Sequence, residues 1–166
     1  MTPLILIGLG ANLDSAFGEP RETLSAALAA LAREGVATLA RSGWYRSAPV
    51  PPSSQPWFIN AVASVTARAD AHELLAVMQN IEVRFGRVRG EPNAPRPIDL
   101  DLLDYCGERF TSSDLILPHP RLHLRRFVLT PLAEVAPHWR HPISNRTARQ
   151  LLAELGDNQP VERLPF

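Results

Sequence analysis

The sequence predicts an α+β protein of the ferredoxin-like type, an antiparallel sheet with helices packed on one face and a C-terminal extension. Four segments have the apolar runs or the alternation of β-strands, and two others repeat apolar residues at helical spacing. They follow the order strand, helix, strand, strand, helix, strand, which is the order of the ferredoxin-like fold. The length of 166 residues suits a single domain, residues 1–166, with its own hydrophobic core.

The first predicted strand is the apolar run at residues 4–9. Gly8 and Gly10 begin the pattern of a dinucleotide-binding turn, but Leu13 occupies the position of the third glycine. We therefore expect a glycine-rich turn that leads into a helix, and we reject a Rossmann-type nucleotide site.

The next predicted elements are a helix at residues 19–33 and a strand at residues 36–47. The helix repeats apolar residues every three or four positions, and Gly35 suits its end. The strand stops at the proline-rich bend formed by residues 48–52, because proline cannot donate to a strand ladder.

A second strand and helix precede the most polar part of the chain. Residues 57–67 alternate as a strand does, and Asp70 is a suitable N-cap for a helix that runs to about Phe85. The remaining predicted elements are a strand at residues 98–103, an extended piece at 109–111, a helix at 124–135 and a helix at 147–155 capped by Asn145.

Composition excludes several classes of function. All 17 basic residues are arginine, so a lysine-dependent phosphate loop and Schiff-base chemistry on lysine are both excluded. The formal net charge of zero argues against a general nucleic-acid or membrane-surface binder. No apolar run approaches membrane-spanning length and no secretory leader is recognisable, so we expect a cytoplasmic protein. Cys106 is the single cysteine, and we expect it to be buried as a small apolar residue.

The most informative feature is a pair of carboxylates two residues apart in an apolar strand. Because residues i and i+2 of a strand face the same side, Asp99 and Asp101 project together, while Leu100 and Leu102 face the core. Adjacent acids repel, and burying either one without a partner is costly. A hard divalent cation with oxygen ligands, such as Mg²⁺ bridging to phosphates, would satisfy both.

Arginines lie close to this pair along the chain. Arg87 and Arg89 belong to the polar segment at residues 86–93, and Arg96 stands between prolines just before the aspartates. A mobile loop that carries arginines beside a diacid strand is typical of metal-assisted phosphoryl transfer. A solvated loop beside a structural ion-pair cluster explains the same residues equally well.

Two further groups of residues are compatible with ligand binding. His119 stands between prolines with Arg125 shortly after it, and it could donate a hydrogen bond to a phosphate. Phe58 and Asn60 follow a proline-stiffened loop, and together they could stack on a flat heterocycle and bind its polar edge. For both groups a purely structural role is the commoner case.

The motifs together resemble those of 6-hydroxymethyl-7,8-dihydropterin pyrophosphokinases, folate-pathway enzymes that move pyrophosphate from ATP to a pterin. The segment Pro-Arg-x-x-Asp-Leu-Asp-Leu at residues 95–102 is close to a family signature. Weaker matches follow the family order over most of the chain, at residues 8–13, 45–49, 55–60, 118–121, 127–132 and 134–137. The resemblance implies in-line attack of the pterin hydroxymethyl oxygen on the β-phosphorus of ATP, with AMP as the leaving group.

The resemblance also implies a role for individual residues. Asp99 and Asp101 would hold two Mg²⁺ ions, and Arg87 and Arg96 would act with them in catalysis. The implied partners are ATP and a pterin, with no nucleic acid or membrane, and the chain would act as a monomer. The implied contacts to ATP come from Gln79, Glu82, Arg89, Arg96, His119 and Arg125, and the implied contacts to the pterin from Ser47, Ala48, Val50, Phe58, Asn60 and Phe127.

Two other functions would use the same features. A two-metal phosphohydrolase would use the diacid strand to release phosphate to water, and it would need no aromatic acceptor pocket. A non-catalytic nucleotide-binding domain of the same fold would need no intact site, and the presence of both aspartates with the loop arginines argues against it.

Overall fold

The computed structural model describes residues 3–88, 90 and 93–165. A single turn of 3₁₀ helix at Leu122–Leu124 precedes the third α-helix. Within these ranges the elements follow in the order β1 (Ile5–Ala11), α1 (Pro20–Arg33), β2 (Ala37–Arg41), β3 (Tyr45–Ser47), β4 (Phe58–Thr66), α2 (Ala71–Arg84), β5 (Asp99–Tyr105), β6 (Phe110–Thr111), β7 (Ile116–Leu117), α3 (Arg126–Val135), α4 (Ala148–Glu154) and β8 (Val161–Arg163).

The main sheet is antiparallel and has the strand order β5–β1–β4–β3–β8, with β2 also paired to β4. Strands β6 and β7 form a separate two-stranded hairpin. The mixed α and β content and the antiparallel sheet confirm the predicted fold class. Among the described residues, no helix is both long and apolar enough to cross a bilayer.

The sheet is covered by helices on both faces, which differs from the expectation of one covered face. On one face α1 and α2 pack on a core that includes Ile7 and Leu100. On the other face α3 and α4 pack on a second core that includes Leu6 and Val62. The predicted C-terminal extension therefore buries apolar side chains of β1 and β4 that would otherwise face water.

Helix boundaries follow the local capping residues. Asp70 caps α2 as predicted, since its carboxylate accepts from the Glu73 N–H at 2.9 Å in a reciprocal capping box. The predicted cap of the last helix, Asn145, is wrong. Asn145 has a left-handed backbone with φ of 61°, and Thr147 caps α4 instead through a capping box with Gln150.

The strand predicted at residues 36–47 is two strands, β2 and β3. The ladder breaks at Ser42, whose hydroxyl oxygen accepts from the Val62 N–H at 3.0 Å. A Cβ on Gly43 would lie 2.6 Å from the guanidinium of Arg163, so a larger residue there would displace that side chain. The hydrogen bond to the Ser42 side chain thus interrupts the continuous strand that the alternating sequence pattern predicts.

Strand β5 contains a β-bulge. Leu102 pairs with Ile7 and Asp104 pairs with Leu6, so Leu103 is an extra residue between them. Leu103 joins the core beside α3 and α4, and the Asp104 carboxylate accepts from Trp139 Nε1 at 2.8 Å on the same face.

Cys106 follows β5 directly, and its predicted burial is wrong. The chain leaves the sheet there through two left-handed residues, Cys106 with φ of 55° and Gly107 with φ of 74°. This turn leaves the Cys106 side chain exposed.

Candidate functional site

The site lies on the face of the sheet that carries α3 and reaches round the edge strand β5 to α2. In the strand register Gly10 lies beside both Asp99 and Asn60, and Gly8 lies beside Asp101. The two glycines belong to the interior of β1, so the predicted glycine-rich turn is wrong. A Cβ on Gly10 would lie 3.1 Å from Asn60 Oδ1, and glycine therefore leaves room for the Asn60 side chain.

Asp99 and Asp101 share this face, as the spacing predicted, and Leu100 and Leu102 are buried on the opposite side. Asp99 Oδ1 accepts from Arg87 Nη1 at 2.9 Å, and Asp99 Oδ2 lies 3.6 Å from Arg96 Nη1. Burial and the neighbouring Asp99 carboxylate raise the pKa of Asp101 to about 7. Ionisation of Asp101 beside Asp99 is therefore unfavourable in the protein alone, and a bound cation would favour it.

Glu82 reaches the same cluster from α2. The residue is only 4% exposed, and its carboxylate accepts from the Leu100 N–H at 2.8 Å and from Arg87. Burial raises the pKa of Glu82. Burial alone would lower the pKa of Arg87, but Asp99 and Glu82 raise it overall. Glu82 thus holds Arg87 in the orientation in which it contacts Asp99.

A large cavity opens over the aspartates, with a volume of about 390 Å³. Its far wall is formed by the hairpin of β6 and β7, which the sequence did not identify as part of a site. The predicted residues that line it are Gln79, Glu82, Arg87, Arg96, Asp99, Asp101, His119 and Arg125, and residues with no predicted role include Leu75 and Ser113 to Ile116.

A smaller cavity of about 70 Å³ lies next to it, between β4 and the start of α3. Asn60 Nδ2 donates to the Ser47 hydroxyl across its floor. Arg125 lies over the ring of Phe127 at 5.5 Å. The predicted residues that line the smaller cavity are Ser47, Ala48, Val50, Phe58, Asn60 and Phe127.

The two cavities share the side chains of Arg96, Asp99 and Arg125 in their walls. Burial lowers the pKa of Arg125, and the Asp101 carboxylate partly offsets that effect. A molecule in one cavity would therefore lie beside a molecule in the other, with cationic and anionic groups at the junction. Arg89, predicted to contact ATP, lies outside the described residues.

The aspartate pair fits a hard divalent cation. Among the described residues, no group of three or more His, Cys, Asp or Glu side chains could hold a metal ion. Two adjacent carboxylates instead suit a cation that completes its shell with water and ligand phosphate oxygens. Asp99 and Asp101 are the side chains that could hold it.

Asn12 is a positioning residue that the sequence pattern did not identify. Its side-chain amide donates to Gln55 Oε1 at 2.8 Å and to the Pro56 carbonyl at 2.9 Å, and its carbonyl oxygen accepts from the Arg96 N–H at 2.9 Å. It is 4% exposed. Asn12 therefore ties Arg96 to the segment that leads into β4.

Asn12→Ala is expected to lower the free energy of unfolding by about 1–3 kcal/mol, because buried donors and acceptors lose their partner. We expect kcat to fall about tenfold as the Arg96 N–H loses its side-chain acceptor, while the main-chain bond from the Asn12 N–H to the Arg96 carbonyl remains. Asn12→Asp keeps the acceptor for the Arg96 N–H and should retain more activity than the alanine variant. Urea unfolding and steady-state kinetics measure both effects, and equal activity of the two variants would contradict this role of the Arg96 contact.

His119 is held in its neutral form. Burial and then the charge of Arg125 lower its pKa to about 4. Its Nδ1 accepts from the Arg121 N–H at 3.1 Å, so the proton of the neutral ring resides on Nε2. The ring is thus a hydrogen-bond donor at neutral pH.

This pKa predicts a pH-dependent stability. A histidine with pKa 6.5 in the unfolded chain takes up a proton below that pH, whereas folded His119 does so only near pH 4. The contribution of neutral His119 to the free energy of unfolding is therefore complete above pH 6.5 and is lost as the pH falls toward 4. Relative to His119→Gln, the free energy of unfolding of the wild type should fall by about 1–2 kcal/mol between those pH values. Urea titrations of both proteins test this, and parallel pH profiles would contradict it.

Comparison with known proteins gives consistent matches. A family model described as 7,8-dihydro-6-hydroxymethylpterin-pyrophosphokinase (HPPK) matches residues 6–137. The 2-amino-4-hydroxy-6-hydroxymethyldihydropteridine pyrophosphokinase of Methylorubrum extorquens is 39% identical over 159 residues, covering 95% of this chain and 96% of the relative. The enzyme with the same name from Pseudomonas aeruginosa is 39% identical over 166 residues, covering 99% of each chain.

Solved structures show the same fold. A crystal structure of HPPK-DHPS in complex with substrates matches with a TM-score of 0.68 at 13% identity, over 92% of this chain and 43% of that one. A Plasmodium falciparum HPPK-DHPS triple mutant matches with a TM-score of 0.67 at 14% identity, over 93% of this chain and 44% of that one. The chain spans less than half the length of these two solved chains.

Proposed function

The chain belongs to the 7,8-dihydro-6-hydroxymethylpterin-pyrophosphokinase family, and we propose that the two joined cavities are its active site. The chain transfers pyrophosphate from ATP to the hydroxymethyl group of 6-hydroxymethyl-7,8-dihydropterin in folate biosynthesis. The proposal assigns ATP to the large cavity and the pterin to the small one.

One observation carries this assignment. The predicted ATP contacts that the structure describes all line the large cavity, and the predicted pterin contacts all line the small one. The spacing of these residues in the sequence does not require the ATP contacts and the pterin contacts to separate into two cavities, because each set comes from several distant segments. The shared wall supports transfer between adjacent ligands, in which positioning lowers much of the barrier.

The catalytic roles follow from the contacts at the shared wall. Arg96 and Arg87 lie beside Asp99, where they would neutralise charge on the transferred group. Glu82, predicted to contact ATP, would act instead through Arg87, because its carboxylate is already bound. Two Mg²⁺ ions held by Asp99 and Asp101 would, when bound, neutralise the triphosphate and polarise the acceptor hydroxyl.

The remaining ligand contacts come from polar and aromatic side chains. The Nε2 proton of neutral His119 and the guanidinium of Arg125 would bind phosphate oxygens. Phe127 would stack on the pterin ring, and Asn60 would bind its polar edge. We further propose that residues 1–166 act as one domain and as a monomer in the cytoplasm, and sedimentation of the purified protein tests the oligomeric state.

The decisive experiment combines the protein with ATP, Mg²⁺ and 6-hydroxymethyl-7,8-dihydropterin and follows the products by ³¹P NMR. We expect AMP and a pterin diphosphate, formed only when the pterin is present. ADP with free phosphate, or phosphate release without pterin, would contradict the proposal and favour a phosphohydrolase. A parallel reaction with EDTA tests the metal requirement.

A further inference from the structure

The C-terminal segment at residues 159–163 contacts both walls of the small cavity. Strand β8 pairs with β3, with Val161 opposite Ser47 in the register. Just beyond this pairing, the Ala48 N–H donates to the Pro160 carbonyl at 3.2 Å. One wall of the cavity, the loop that begins at Ser47, is therefore attached to the C-terminal segment by main-chain hydrogen bonds.

The other wall is attached through the side chain of Gln159. Its Oε1 accepts from the Arg126 N–H at 3.0 Å, and its Nε2 donates to the Leu124 carbonyl at 3.0 Å. Both groups flank Arg125, which is the N-cap residue of α3 and whose own side chain makes no capping hydrogen bond. The first N–H groups of a helix have no partner within the helix, so Gln159 provides a cap from a distant part of the chain.

This cap controls the residues that begin α3. The Arg125 side chain lines both cavities, and Phe127, two residues further on, lines the small one. A change in the backbone at Leu124 and Arg126 would move both side chains together. Gln159 itself lines neither cavity, so it acts through the backbone on either side of Arg125.

We propose that Gln159 is a positioning residue for pyrophosphoryl transfer, which holds Arg125 at the junction of the two cavities and Phe127 against the pterin while the adjoining main chain holds the loop at Ala48. The inference rests on the proposed function of the two cavities. It predicts that loss of the Gln159 amide weakens pterin binding and lowers turnover without loss of the fold.

The test uses Gln159→Met, which keeps the length of the side chain and removes both hydrogen bonds. We expect the KM for the pterin to rise about tenfold and kcat to fall about threefold to tenfold, because a small displacement of a positioned group is costly. Gln159→Glu keeps an acceptor for the Arg126 N–H and should recover part of the loss. Asn158→Ala, an exposed neighbour, is the matched control and should behave as the wild type.

Two further measurements separate positioning from a structural role. Thermal melts followed by circular dichroism define a temperature at which every variant is folded, and the kinetics are measured there. Fluorescence titration with the pterin, in the presence of Mg²⁺ and a non-hydrolysable ATP analogue, gives Kd independently of turnover. We expect the Kd of Gln159→Met to rise in parallel with its KM.

The outcomes are distinct. Unchanged pterin KM and Kd in Gln159→Met would overturn the inference, and so would a loss of activity that follows only a lowered melting temperature. A wild type that binds the pterin but forms no pterin diphosphate would contradict the proposed function. In that case the Kd of Gln159→Met still decides whether Gln159 positions the cavity wall.

Discussion

Asp101→Asn is expected to abolish turnover and to stabilise the metal-free protein at pH 8. Turnover should fall at least about a thousandfold, because the variant loses one of two carboxylates proposed to hold the cation. The stabilisation follows from the pKa of about 7 for Asp101 in the folded protein, against 3.8 in the unfolded chain. The folded state binds the Asp101 proton more tightly than the unfolded chain does. The free energy of unfolding of the wild type therefore falls as the pH rises from near 4 to about 7.

The measurement is urea unfolding in EDTA at pH 5 and pH 8, together with turnover in Mg²⁺. We expect Asp101→Asn to unfold with about 1–3 kcal/mol more free energy than the wild type at pH 8, and with a clearly smaller difference at pH 5. Asp104→Ala is the contrasting variant. Loss of the carboxylate that accepts from Trp139 should destabilise the protein at both pH values and leave the pterin KM unchanged. Near-normal turnover of Asp101→Asn would contradict the metal assignment.

Arg96→Ala is expected to lower kcat by about a hundredfold to a thousandfold, with a much smaller change in the affinity for ATP. The reason is its place in the wall between the cavities, with Nη1 3.6 Å from Asp99, where charge develops on the transferred group. Several arginines contribute to the binding of ATP in the ground state. Few groups, in contrast, lie at the junction of the two cavities, where the transition state is stabilised.

Arg84→Ala is the matched control for this prediction. Arg84 belongs to the same arginine-rich stretch of the sequence, but it pairs with Glu34 at 3.2 Å on the surface and lines neither cavity. Its removal should leave kcat and both KM values unchanged. A change in Arg96→Ala that is confined to KM would indicate that Arg96 only binds ATP.

Much of the site could be predicted because its strands have regular local patterns. Asp99 and Asp101 alternate with buried leucines, and Asp70 stands at the start of an amphipathic segment, so both features could be inferred from a few residues. The ligand roles of Ser47 and Phe127 could be predicted only from the resemblance to a family, because the residues next to them in sequence fit a structural role as well.

The contacts that the sequence could not reveal join distant segments through the backbone. Asn12 holds Arg96, and Gln159 holds the backbone around Arg125, yet neither belongs to a motif with a chemical meaning of its own. The break at Ser42 was missed for the same reason, because its cause is a hydrogen bond to Val62 on another strand. Such contacts depend on tertiary pairing, which single-sequence periodicity does not encode.

Because of the bulge at Leu103, the effect of deleting one residue from β5 depends on where in the strand the deletion falls. Deleting Leu103 would restore an unbroken two-residue repeat and keep Asp99, Asp101 and Asp104 on one side, at the cost of about 2–5 kcal/mol for a lost buried leucine. Deleting Leu100 would instead reverse Asp99 relative to the rest of the strand and direct its charge into the core beneath α2. A one-residue deletion at the bulge therefore leaves Asp99 and Asp101 on their shared face, whereas one between them does not.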